Sequence, residues 1–212
     1  LDFAAQVNAK VLVCHLGSVR FFWGSPEKKL EAFLKKQPEA GRVFNAKYAA
    51  LLKKAVEKLR QRMPPYWEQT KASIAKVLEH AAAKGVKLGL ENREAFEELP
   101  VDADYAEFVA GFPADAPVGY WQDTGHADIK QTMGLLKHRE HLEKNAPRMI
   151  GFHLHDVNAA GDDHQPVGAG QIDFQMISEF WKPEHLLILE LSPRVKVEDV
   201  AASKERLEAL IG

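Results

Sequence analysis

Five apolar, strand-like runs in this chain each end in, or within two residues of, a side chain able to bind a metal. They are KVLVCH to His15, VKLGLE to Glu91, VGYWQD to Asp123, MIGFHLH through His153 to His155, and LLILEL around Glu190. Helical patterns lie between them, and strand alternating with helix predicts an α/β fold with a parallel sheet or barrel. In such a fold the strands run the same way, so side chains at their ends emerge on one C-terminal rim, where (β/α) barrels place their active sites. Imidazoles and carboxylates from separate parts of the chain would then face a common centre.

The helices between the runs carry their own signals. Ser25-Pro26 predicts a helix start, with Ser25 as N-cap and Pro26 in the first turn. A second helix is predicted from Asn45 to Arg62, where Tyr48, Leu51, Leu52, Val56 and Leu59 recur at helical spacing, with Pro64-Pro65 as its end. The next amphipathic pattern begins at Tyr66 and stops at Gly85, a C-cap. Shorter helices are expected over Tyr105 to Phe112, Ile129 to Lys144, Phe174 to Phe180 and Val197 to Ile211. One domain over 1–212 is the simplest organisation. It carries an excursion at about 17–65 whose Phe21, Phe22 and Trp23 serve as a lid or partner surface, or pack the excursion onto the barrel.

Composition narrows the class of protein. The 212 residues are 46% hydrophobic and 27% charged, with a formal charge of −2, an ordinary globular balance that argues against a chain holding nucleic acid by neutralising phosphates. The apolar runs are strand-sized, far short of the ~20 residues that cross a bilayer, and no signal-like segment opens the chain, so a cytoplasmic location without membrane contact is expected. Cys14 is the only cysteine; it excludes an internal disulfide and reads as a small buried hydrophobe. Trp121 and Phe152, inside strands, read as barrel packing.

The fragments HLGS at 15–18, LEN at 90–92, DTGHA at 123–127, HLHD at 153–156, DDHQPVGAGQIDF at 162–174 and LELSPR at 189–194 occur in order. Together they resemble the xylose isomerase-like TIM barrels, a superfamily holding sugar isomerases and epimerases, inositol-catabolism enzymes and endonuclease IV. The resemblance runs from Lys10 to Arg194. It implies a TIM (β/α)8-type barrel of which five C-terminal βα units are present. It also implies four ligands, Glu91, Asp123, His153 and Glu190, for a divalent ion such as manganese, magnesium, cobalt or zinc. Aligning HLHD with the family pattern makes His153 the ligand and Asp156 a partner behind it, with His155 approaching substrate or solvent; a one-residue register slip would exchange the two histidines.

The same resemblance implies roles for the surrounding residues. Glu91 and Glu190 would exchange protons with a sugar or polyol-type substrate through a metal-stabilised enediolate. Asp123 and His126 form a D-x-x-H pair past a strand; in the family the corresponding His contacts substrate or binds a second metal. His15, Asp162 and His164 coincide with positions that carry additional zinc in endonuclease IV. Arg93 and Arg194 either hold a substrate oxygen or anion through their planar donors or pair with a rim acid. The competing readings are an endonuclease IV-like zinc phosphodiesterase acting on abasic DNA, and a non-catalytic remnant or assembly subunit. Three N-terminal units of the family have no counterpart here, which implies a fragment, or a second copy or partner chain that covers two open sheet edges.

Overall fold

The computed structural model describes residues 1–22, 24–36 and 46–211; Trp23 and Asn45 lie outside the described residues. A short helix α1 (Asp2–Gln6) leads into β1 (Val11–Cys14). After it come β2 (Gly17–Ser18), α2 (Pro26–Lys35), α3 (Ala46–Arg62) and α4 (Pro64–Lys84). The chain continues through β3 (Lys87–Glu91), β4 (Glu98–Leu99), α5 (Tyr105–Ala110), β5 (Val118–Asp123), α6 (Thr124–Thr132) and α7 (His138–Asn145). Last come β6 (Met149–Leu154), α8 (Phe174–Ser178), β7 (Leu186–Leu189) and α9 (Val197–Ile211). No helix among the described residues is long and apolar enough to cross a membrane.

The five strands β1, β3, β5, β6 and β7 pair side by side in that order, all parallel, in a curled sheet that forms half a barrel. The register aligns the rim. Glu91 sits opposite Trp121, and Asp123 opposite His153, while the Glu190 N–H donates to the Leu154 carbonyl just past the last paired residues. Behind the sheet, Leu88 and Leu90 of β3, Tyr120 of β5 and Phe152 and Leu154 of β6 join Ile74, Leu78, Phe108 and Leu142 from the helices in one core. In front, Trp121 lies in the space left by two glycines: a Cβ on Gly89 would press on its ring, and one on Gly151 would overlap it. Trp121 and Phe152 are both packing residues.

The helix signals hold at Ser25, whose Oγ accepts from the Lys28 N–H at 3.3 Å, and at Gly85, which closes α4 in the left-handed conformation at φ 65°. Two expectations are corrected. Pro64 and Pro65 do end α3, but they also occupy the first turn of α4, where their missing N–H groups cost nothing. The helix expected over Ile129 to Lys144 is two helices, α6 and α7, separated by a turn at Gly134 with φ 73°. The excursion packs a second core through Val19, Leu30, Tyr48 and Leu59 and is pinned to the sheet domain where Arg60 pairs with Asp104. Phe21 lies half-buried under the cations of Lys58 and Arg62, whereas Phe22 is 81% exposed. Only the first of those two aromatics packs the excursion down.

Candidate metal centre

The parallel register delivers Glu91 from the end of β3, Asp123 from the end of β5, His153 from β6 and Glu190 from just beyond β7. One ligand atom from each lies within 4.8 Å of the other three. His153 Nδ1 stands 2.9 Å from Glu91 Oε1 and 2.9 Å from Glu190 Oε2, and 3.9 Å from Asp123 Oδ2. Asp123 is fully buried and Glu91 nearly so. Asp123 also caps α6, its Oδ1 accepting the His126 N–H at 2.8 Å, so this carboxylate serves a helix start and the cluster at once.

Backbone clamps hold these strand ends in place. The Asn92 side chain grips the Asp123 peptide, accepting its N–H at 2.6 Å and donating to its carbonyl at 3.0 Å. Tyr105 donates to the Glu91 carbonyl at 2.5 Å. The Thr124 hydroxyl accepts the His155 N–H at 3.1 Å and donates to the His155 carbonyl at 2.8 Å. Asn92 and Thr124 thus continue the sheet's hydrogen bonding past the last regular pairs.

Burial alone would raise the Glu91 carboxyl, but the hydrogen bond and charge of His153, helped by His126 and His15, hold it at about 2. For His153 burial opposes the charge, and hydrogen bonds donated to Glu190 and Glu91 outweigh it, lifting the imidazole to about 9. The same contact lowers Glu190. Positive charge at His153 is favoured by the carboxylates gathered around it. Three carboxylates and one imidazole are a donor set for manganese, magnesium, cobalt or zinc. These residues fit a divalent ion.

The other rim residues divide. His15 Nε2 lies 2.7 Å from Glu91 Oε2, with half its side chain exposed. His126 is buried; its Nδ1 faces the Asn92 carbonyl at 3.0 Å, and its Nε2 faces Asp163 at 3.7 Å and Glu94 at 3.9 Å. His164, at φ 52°, presents Nδ1 to the Glu190 carbonyl at 3.2 Å. His126, His155 and His164 form one close group, and Glu94, His126 and Asp163 another. Arg93 pairs with Glu98 at 3.2 Å, the rim-acid alternative, and also reaches His15 at 3.1 Å. Arg194 is exposed and lines an open cavity of about 810 Å³ with Glu190, His164 and Asp163.

Three expectations change. His155 does not approach substrate or solvent: it is fully buried, with Nε2 3.0 Å from Asp123 Oδ2. Asp162 accepts from Asn158 at 2.9 Å and joins none of the close donor groups among the described residues, whereas its neighbour Asp163 takes the place beside His126. Asp156 is not a partner of His153. Its carboxylate accepts the N–H groups of Val157, Gly168 and Gly170 at 2.9–3.0 Å and so folds the rim loop. Glu94 belongs to no strand end and so carries no sequence signal; burial and the facing Asp163 carboxyl raise its pKa. Cys14 is half-buried and is pushed up to about 11 by burial and the Glu91 charge, which removes it as a nucleophile.

Solved structures share this architecture. A D-tagatose 3-epimerase-like protein superposes with a TM-score of 0.64 at 21% identity, over 99% of this chain and 65% of that one. A xylose isomerase domain protein from Planctomyces limnophilus gives a TM-score of 0.59 at 18% identity, over 99% of this chain and 62% of that one. A Thermus thermophilus protein soaked with zinc chloride gives 0.54 at 20% identity, over 100% of this chain and 65% of that one. The chain thus spans a little under two thirds of the length of these neighbours, and at such identities they speak for the fold alone. No curated protein matches it in sequence. The family model described as xylose isomerase-like TIM barrel matches residues 1–208, and the chain belongs to that family.

Proposed function

We propose that this rim is the centre of a divalent-metal-dependent sugar isomerase or epimerase. The observation that carries the reading is the meeting of Glu91, Asp123, His153 and Glu190 within 4.8 Å. Membership in the xylose isomerase-like family supports the reaction class.

Asp123, His153 and the two glutamates would hold the ion, which when bound polarises a carbonyl and acidifies the adjacent C–H. Glu91 and Glu190 approach His153 Nδ1 from separate strand ends, and so flank one point from two directions. One, as the carboxylate, would take a proton from the carbon beside the carbonyl and keep it, while the other, protonated from solvent, would deliver its own proton to the opposite face or to the neighbouring carbon. Asn92 keeps Asp123 aimed at the centre. His126 and His164 line the approach and orient hydroxyls. The cavity beside Glu190 takes the rest of a small polyol, with Arg194 at its margin.

Metal-loaded protein incubated with ketohexoses in heavy water tests this directly. Deuterium should enter at the carbon beside the carbonyl, together with a new epimer or aldose; no exchange with any ketohexose or aldose, from folded and metal-loaded protein, contradicts it. A second reading rests on His15 and on the group of Glu94, His126 and Asp163, which offer further donors beside the first set. Three ions per chain would favour phosphodiester cleavage, and one favours sugar chemistry.

A further inference from the structure

His155 is held by both ring nitrogens. Nδ1 lies 2.9 Å from the His164 N–H and 3.4 Å from the Asp156 carbonyl. The shorter contact requires Nδ1 to accept, which makes the ring the tautomer with its proton on Nε2. That proton points at Asp123 Oδ2, 3.0 Å away. The imidazole is fully buried, and the Thr124 hydroxyl fixes its backbone from both sides. It lies over Gly125, where a Cβ would overlap the ring. His164 stacks on it at 4.2 Å between centroids.

The two ends of this bridge belong to different parts of the rim. Asp123 ends a central strand. His164 belongs to the loop between β6 and α8, which also carries Asp163 and lines the cavity beside Glu190. Asp156 gathers that loop at Gly168 and Gly170, and Arg206 of α9 reaches its Val167 carbonyl. A contact that depends on the loop's backbone conformation therefore sets the orientation of a carboxylate in the ion cluster.

We infer that His155 is a positioning residue that couples the order of the 156–170 loop to cation binding at Asp123. The inference rests on the metal reading above. With the loop in place, the His164 N–H fixes the tautomer whose Nε2–H steers Asp123 Oδ2, leaving the carboxylate one defined orientation. By reciprocity, a cation that holds Asp123 in that orientation favours the ordered loop. Loss of a hydrogen-bonding partner behind a metal ligand commonly costs about 10- to 100-fold in affinity.

The test combines manganese titration by calorimetry with amide hydrogen exchange across 156–170, with and without manganese. The unsubstituted chain should bind the ion and slow its exchange in the loop. His155→Ala should bind about 10- to 100-fold more weakly and lose the loop's response to manganese. His155→Gln can still donate to Asp123 from its terminal amide but leaves no acceptor at the Nδ1 position that faces the His164 N–H, so it should recover most of the affinity without the loop's response. Gly125→Ala, which keeps the imidazole but displaces it, should weaken binding in the same direction. Circular dichroism establishes that each variant is folded. If His155→Ala or, should it fail to fold, Gly125→Ala binds within twofold of the unsubstituted chain, or if its loop still responds to manganese, the coupling is overturned while the metal reading stands. If the unsubstituted chain binds no manganese, the metal reading fails first and takes the coupling with it.

Discussion

His138 and His141 on α7, behind the sheet, and His153 on β6, at its rim, are imidazoles in enclosed places whose proton affinities move in opposite directions. Burial pushes His138 down to about 3, with the nearby His141 adding to the effect, and burial pushes His141 down to about 4. Their partners are neutral: Gln122 lies 3.2 Å from His138, and the Tyr120 hydroxyl 2.6 Å from His141. His153 is raised to about 9 because two carboxylates touch it. The rear network satisfies polar groups within a core, whereas the rim collects more negative charge than its own hydrogen bonds neutralise. A buried histidine by itself indicates neither; the carboxylates around it do.

The largest effect is expected at Glu91. Glu91→Gln removes a charge from the rim, and kcat/KM for the sugar reaction should fall by about 10³-fold or more with the fold retained; initial rates and circular dichroism measure both. An equivalent substitution behind the sheet, His141→Gln, should leave manganese affinity within about threefold.

The rear network is probed by acid. His138 and His141 are neutral when folded, but the unfolded chain takes up protons on them below about pH 6.5. Their contribution to stability is therefore full above that pH and is lost as pH falls towards 4 and 3. Urea unfolding at pH 7.5, 5.5 and 4.5 should show a decline on the order of a few kcal/mol. His138→Phe with His141→Phe should flatten that slope, and an unchanged slope would show that acid acts elsewhere.

A smaller effect is expected where the apolar face supports the rim. Gly151→Ala places a methyl group against Trp121, whose ring meets His153 edge-on at 5.1 Å. Overpacking of this kind costs about 1–3 kcal/mol, read from denaturant midpoints, and should shift manganese affinity with it. Asp162→Ala should do least. Its carboxylate faces Asn158, so manganese affinity should stay within about twofold, whereas Asp163→Ala should alter the surroundings of His126.

The parallel sheet and the meeting of four strand ends were legible because apolar runs and alternating helices fix strand direction, and direction fixes which end of each strand shares the rim. The loops were not. Asp162 and Asp163 are adjacent carboxylates, and which one turns inward depends on the turn closed by Asn158 and on the positive φ of His164. His153 and His155 share a face by period-two alternation. Only the clamp by Thr124 and the space above Gly125 show that the second is buried beside Asp123. The break between α6 and α7 hung on Gly134, a residue that a helix tolerates at modest cost and that here takes a left-handed turn.

Whether the four rim side chains hold one cation is decided by a crystal of the manganese-soaked protein measured for anomalous scattering. A peak is expected about 2.0–2.4 Å from side-chain atoms of Glu91, Asp123, His153 and Glu190 together. A peak held by other residues, or none between these four at saturating manganese, would contradict it.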